Sequence, residues 1–165
     1  MKHQTVDNAF GFTVDIYGPI SLRQNDLSLL RESNINDKLA TLQLGELIQY
    51  IIFGDSAYKR RSHITSYAIA PQGEALQPIL VSWNNTCKKV RISIEWNYGC
   101  TGMLFKYVMC EEKMLLQSDY VSKIYTVATL FRNFHAAIYG SQTSNYFNIV
   151  MPDNMLRKYI LQEDF

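Results

Sequence analysis

The sequence predicts an α/β fold, and three observations carry that expectation. Phe12, Val14 and Ile16 alternate with Thr13, Asp15 and Tyr17, the period of a strand with one buried face. Tyr50-Ile51-Ile52-Phe53 is a short run of β-formers that stops at Gly54-Asp55. Between these two stretches the apolar residues take helical spacing, over a length sufficient for a crossover connection.

In chain order, Gln4-Thr5-Val6 reads as a first strand, with Asp7-Asn8 starting a hairpin turn and Gly18-Pro19 closing the second strand. The chain is therefore expected to begin inside a sheet, with no leader and no N-terminal helix. Asn25 or Asp26 can cap a helix whose apolar face holds Leu27, Leu29 and Leu30. Asn34 or Asn36 can cap a second, with Leu39, Leu42, Leu44 and Leu47 on its apolar positions. After Asp55 comes a short basic run, Lys59-Arg60-Arg61, then a strand-like stretch from Ile64 to Ala70 and a turn at Pro71-Gln72-Gly73. A mixed helical region runs from Leu76 to Trp83.

Residues 85–98 carry two patterns. Cys87, Val90, Ile94 and Tyr98 form a stripe at helical spacing behind a cap at Asn85 or Thr86. Val90, Ile92 and Ile94 also alternate as in a strand, and propensity favours the strand. Gly99 and Gly102 interrupt either pattern. The clearest helix is Tyr120 to Tyr139, capped by Asp119 and stopped by Gly140. Val121, Ile124, Tyr125, Ala128, Phe131 or Leu130, His135 and Ile138 give its periodicity, and His135 reads as a core or boundary histidine. From Ser141 the chain turns polar and irregular, with a terminal helical turn or two at Met155–Ile160. Residues 1–140 are expected to form one domain and 141–165 a C-terminal extension.

The 165 residues, 47% of them hydrophobic, suffice for a domain with a core, and the 13% aromatic content argues against disorder. A net charge of +1 neither marks nor excludes a nucleic-acid binder, which needs only a local basic patch. Cys87, Cys100 and Cys110 have no CxxC spacing, which suits a reduced intracellular setting. His3, His63 and His135 lie too far apart for a zinc spacing. No apolar run reaches membrane-span length, so no membrane partner is expected. Asn84-Asn85-Thr86 is formally a glycosylation sequon; without a secretion signal it reads as chance.

The carboxylates raise the question of chemistry. Asp55 ends a strand, and such ends can hold an acidic group at the mouth of a sheet. Glu95 lies forty positions on, among Lys88, Lys89 and Arg91, and in a helix it would share a face with Arg91. Two carboxylates brought together require a compensating cation, and a divalent ion is the usual one. Two-metal phosphoryl transfer asks for a third carboxylate. Asp7 suits a turn, Asp26 a helix cap, and Asp15 the polar face of its strand.

Three phrases then resemble the DDE superfamily endonuclease domain of Harbinger-type (PIF-like) transposases. They are Tyr17-Gly18-Pro19-Ile20 with Asn25-Asp26, Phe53-Gly54-Asp55-Ser56-Ala57-Tyr58, and Val90 to Gly99, which is similar to the family's Arg-x-x-x-Glu-x-x-Phe-Gly box. Leu130-Phe131-Arg132-Asn133-Phe134 resembles the family's closing helix. The resemblance implies a ribonuclease-H-like fold, a mixed sheet with flanking helices, and a DNA endonuclease and strand-transfer activity that uses Mg²⁺ or Mn²⁺. It places Asp55 and Glu95 as catalytic residues and metal ligands, and it selects the helical reading of 88–98. Lys59, Arg60, Arg61 and Arg91 become candidates for contacting DNA. The family's first acidic residue, at the end of its first strand, would fall before Met1. An incomplete fold with that strand missing, impaired cleavage and self-association through unpaired strands are therefore expected. The resemblance further implies DNA and a separate DNA-binding protein as partners, and a nuclear location, or a cytoplasmic one for a non-functional fragment. The alternative is a non-catalytic nucleic-acid- or protein-binding remnant of a transposase.

Overall fold

The computed structural model describes residues 2–44, 48–58, 62–109 and 119–161. It shows a small mixed α/β architecture: short paired strands with flanking helices, divided into two compact units. Residues 1–21 and 93–165 make unit 1, and residues 22–92 make unit 2.

Unit 1 begins with an antiparallel hairpin of β1 (Lys2–Asp7) and β2 (Thr13–Ile20). Asn8 closes its turn, with Oδ1 accepting from the backbone N–H of Phe10 and Phe12. Gly11 sits in this turn at φ +83°, and a Cβ there would collide with Ser141. The Gly18-Pro19 turn expected to close the second strand is instead part of it. Lys2 pairs with Ile20 and Gln4 with Tyr17, so His3 alone faces Gly18 and Pro19. That is a β-bulge, which spends the extra residue on a local bend and keeps the pairing on either side.

Two helices dominate. α3 (Pro78–Leu104) starts in unit 2 and ends in unit 1, and α4 (Asp119–Tyr139) lies in unit 1. Residues 85–98 are thus helical, as the resemblance implied and against strand propensity. Proline is at home in the first turn of a helix, where its missing N–H costs nothing. Gly99 and Gly102 do not break α3. A Cβ on Gly102 would come within 2.8 Å of the Met109 side chain, so the glycine admits the 3-10 turn Lys106–Met109 against the helix end.

The buried faces differ from the apolar stripes. In α4 the buried residues, among those described, are Ala128, Thr129, Arg132, Asn133 and Ala136, while Phe131 and Ile138 are more than half exposed. In β2 Val14 is 57% exposed, whereas Thr13 turns to Asn133 of α4. The Asn133 amide accepts from the Thr13 N–H at 3.1 Å and donates to the Thr13 carbonyl at 2.8 Å. A side-chain amide here completes the backbone pairing of a strand, which draws the polar face of β2 inward.

Unit 1 ends with α5 (Gln142–Tyr146) and α6 (Met155–Leu161). Ser141 caps α5, and its hydroxyl donates to the carbonyl of Phe10 in the hairpin turn at 2.6 Å. Met155 is buried with Phe12 and Ala136, and Phe10, Ala137 and Met151 pack around them. Residues 141–161 therefore share a core with the hairpin and α4.

Unit 2 opens with α1 (Asp26–Glu32), capped by Asn25, whose Oδ1 accepts from the Ser28 N–H at 2.7 Å. α2 (Ile35–Thr41) follows; it is shorter than its leucine pattern, ending before Leu42 and Leu44. Asn34 enters it with φ 52° and no side-chain cap bond. β3 (Gln43–Leu44) pairs antiparallel with β4 (Ile48–Gln49), and β5 (Ile52–Phe53) pairs parallel with β6 (Ile64–Thr65). The strand expected from Ile64 to Ala70 stops at Thr65. Beyond it, the Asn84 amide accepts from the Ala68 N–H and donates to the Ala68 carbonyl at 2.8 and 2.9 Å. The sequon asparagine is thus committed to the fold. Among the described residues, the buried apolar side chains of this unit are Leu29, Leu30, Ile35, Leu39, Ile64 and Cys87.

Candidate functional site

The strand-end carboxylate stands where the sequence placed it. β5 stops at Phe53, and Asp55 opens a turn in which the Tyr58 N–H donates to the Asp55 carbonyl at 2.9 Å. Asp55 Oδ1 accepts from the N–H and the hydroxyl of Ser56, at 2.5 and 3.0 Å. Asp55 Oδ2 meets the guanidinium of Arg91, with Nη2 at 3.1 Å. Both groups are about two-fifths exposed, so the pair lies at the surface of unit 2.

Arg91 was expected on one helix face with Glu95. Among the described residues no ion pair joins the two, and the arginine turns to Asp55 instead. Glu95 is exposed and belongs to unit 1. Lys59, Arg60 and Arg61 lie outside the described residues. Asp26 is the first residue of α1, behind the capping Asn25.

Mg²⁺ and Mn²⁺ ask for several oxygen ligands around one point. Among the described residues no group of three or more His, Cys, Asp or Glu stands together in that way. One Asp55 oxygen serves the turn and the other faces a guanidinium, whose positive charge opposes a divalent ion at that oxygen. The side chains as arranged do not fit a preformed metal centre.

In unit 1 the acidic residue with the most side-chain partners among the described residues is Asp7, which its turn position did not single out. Its Oδ1 accepts from the Thr13 hydroxyl at 2.6 Å and its Oδ2 from the Asn97 amide at 3.0 Å. Burial raises its pKa, against the lowering effect of these bonds and of Arg132. Arg132 is buried and donates to the Gly11 carbonyl and the Thr13 hydroxyl. Burial lowers its pKa, and Asp7 opposes that shift. The two share the Thr13 hydroxyl, which donates to Asp7 and accepts from Arg132, and their opposite charges offset one another. Ser93, Asn97 and Thr101, four apart on α3, are buried on this side, and that small polar stripe was its one sequence signal.

His3, in the bulge, stacks on Tyr125 with ring centroids 4.4 Å apart, and its Nε2 has no hydrogen-bond partner among the described residues. Burial, reinforced by the N-terminal charge, lowers its pKa from 6.5 to about 4. The folded chain therefore favours neutral His3. Above pH 6.5 this costs nothing; as pH falls from 6.5 towards 4 the unfolded chain takes up a proton that the folded chain refuses. Stability is expected to fall across that window, with Asp7 opposing the trend at its acid end because its raised pKa favours proton uptake by the fold. Urea unfolding at pH 7 and pH 4.5 should show a smaller loss in His3→Gln than in the wild type; an equal loss would remove His3 as the cause.

Compared with known proteins, the chain matches no family model, no curated protein and no solved structure. Among the described residues no helix is long and apolar enough to cross a membrane.

Proposed function

We propose that this chain is a DDE-endonuclease-derived domain that engages DNA through its basic unit, with Asp55 held in an arrangement that does not support cleavage. The observation that carries the reading is the contact between Arg91 and Asp55 at 3.1 Å. Two of the phrases that carry the resemblance, the Gly-Asp strand end and the Arg-x-x-x-Glu box, meet in space through these side chains. A parallel strand pair with an acidic residue at the end of β5 suits a ribonuclease-H-like ancestry.

The charge distribution supports DNA as the partner. Lys and Arg outnumber Asp and Glu over residues 22–92, and the reverse holds over the remainder. Lys88 and Lys89 are exposed on α3, while Cys87 beside them is buried, so the lysines offer charge to a phosphate backbone. In an active relative, Mg²⁺ or Mn²⁺ would supply the nucleophile and neutralise the leaving oxygen. Here Arg91 neutralises Asp55, which favours a binding remnant over a working nuclease.

Fluorescence anisotropy with a DNA duplex in EDTA tests this. Binding should weaken steeply with salt, should persist in Asp55→Ala, and in Lys88→Ala/Lys89→Ala should lose about one unit of log–log salt slope per phosphate contact removed. Absence of salt-sensitive binding would overturn the DNA reading. Mn²⁺-dependent nicking that Asp55→Ala abolishes would show a competent nuclease instead.

A further inference from the structure

We infer that unit 1 carries a binding groove for an acyl chain with an anionic head group, in its simplest form a fatty-acid anion. The groove lies between α4 and the 3-10 turn Lys106–Met109, and every described residue lining it belongs to unit 1.

The floor of the groove is apolar. Phe105, Ile124, Val127 and Phe131 line it, and the Phe105 and Phe131 rings stand 6.2 Å apart. Tyr120, Val127 and Phe131 are large hydrophobic side chains left exposed on this face of α4. Along the helix the lining reaches from Tyr120 to Phe131, about 16 Å of axis. The volume is about 450 Å³, inside the range of roughly 300–1,000 Å³ usual for small-molecule sites. A groove this short, walled on one side by a single 3-10 turn, suits one acyl tail. A partner helix would need several turns of wall to seat its successive anchors.

Charge selects the head group. Lys106 and Lys123 are the charged residues of the lining, and no Asp or Glu among the described residues joins them. Both lysines are exposed. A lysine lays its methylene stem along apolar surface and keeps its ammonium in water. The tail therefore fits the floor, and an anionic head at the mouth meets the two ammonium groups. The same charges oppose a second copy as occupant. A two-fold contact sets a patch against itself, which would bring the lysines of both copies together.

Calorimetric titration of the full chain with dodecanoate, below its micelle concentration, tests this. Binding is expected, and each methylene removed in decanoate and octanoate should weaken it about two- to fourfold. Val127→Glu places a negative charge in the floor and should weaken binding by about tenfold or more. Val127 is 46% exposed, so its urea-unfolding midpoint should stay near that of the wild type. Lys123→Gln should weaken dodecanoate about two- to fivefold and strengthen dodecyltrimethylammonium, the opposite signs marking a charge effect at the head group. No dodecanoate binding, an affinity independent of chain length, or one unmoved by Val127→Glu would each overturn the inference. So would binding to vesicles of phosphatidylcholine and phosphatidylserine without binding of dodecanoate, which would assign the groove to a membrane surface. Dimerisation that Val127→Glu removes, again without dodecanoate binding, would assign it to a second copy and overturn the inference too. None of these residues enters the DNA titration, so either result can fail while the other stands.

Discussion

Arg132→Ala is expected to destabilise unit 1 by about 3 kcal/mol, within the range seen when one partner of a buried charge network is removed. Arg132 is 2% exposed, the largest of the fully buried side chains among the described residues. It ties the hairpin turn to α4 through the Gly11 carbonyl and the Thr13 hydroxyl, and it offsets the half-buried Asp7. Truncation leaves a void, a carbonyl without its donor and a carboxylate without its cation. Urea unfolding monitored by Trp96 fluorescence in a Trp83→Phe background reads unit 1 separately, because the two tryptophans fall in different units. Adding Asp7→Asn to Arg132→Ala should recover part of the loss, since the stranded charge goes with it. A loss below about 1 kcal/mol would show that this network does not hold the hairpin to α4.

The backbone elements were legible where a single period ruled. β1 and β2 followed the alternation around Phe12 and Ile16, α1 followed its Asn25 cap, and α4 ran between Asp119 and Gly140. Which face each element buries was far less legible. Apolar stripes point inward when the neighbouring element is apolar. Here α4 presents Arg132 and Asn133 to a strand whose Thr13 has hydrogen bonds to exchange. Buried polar residues with partners look, in sequence, like surface residues. The same reason hid the Ser93–Asn97–Thr101 face of α3 behind its stripe of Cys87, Val90 and Ile94. Asp55 was legible as a strand end because β-formers stop there. Its partner was not, because Arg91 had a nearer acidic neighbour along the helix in Glu95, and only tertiary placement brings it to Asp55.

Met155→Ala is expected to cost about 3 kcal/mol, as large core-to-alanine changes do where the site cannot collapse. Met155 is 1% exposed and shares a cluster with Phe12 at 0% and Ala136 at 3%, so its neighbours come from the hairpin turn and from α4. Tyr159, one turn further along α6, adds rings against Phe12 and Phe134 at 5.4 and 5.5 Å and accepts a hydrogen bond from Asn133. A C-terminal extension outside the domain would behave differently: Met155→Ala would leave the Trp96 transition unmoved, and only Phe12→Ala would shift it. With α6 inside the core, both substitutions should lower the same transition by comparable amounts. Their double variant should lose less than the sum, because each opens part of the same cavity. Met151→Ala, at the half-buried edge of the cluster, should cost visibly less. An unshifted midpoint in Met155→Ala would return residues 141–161 to the status of an extension and leave the hairpin and α4 to form the core without them.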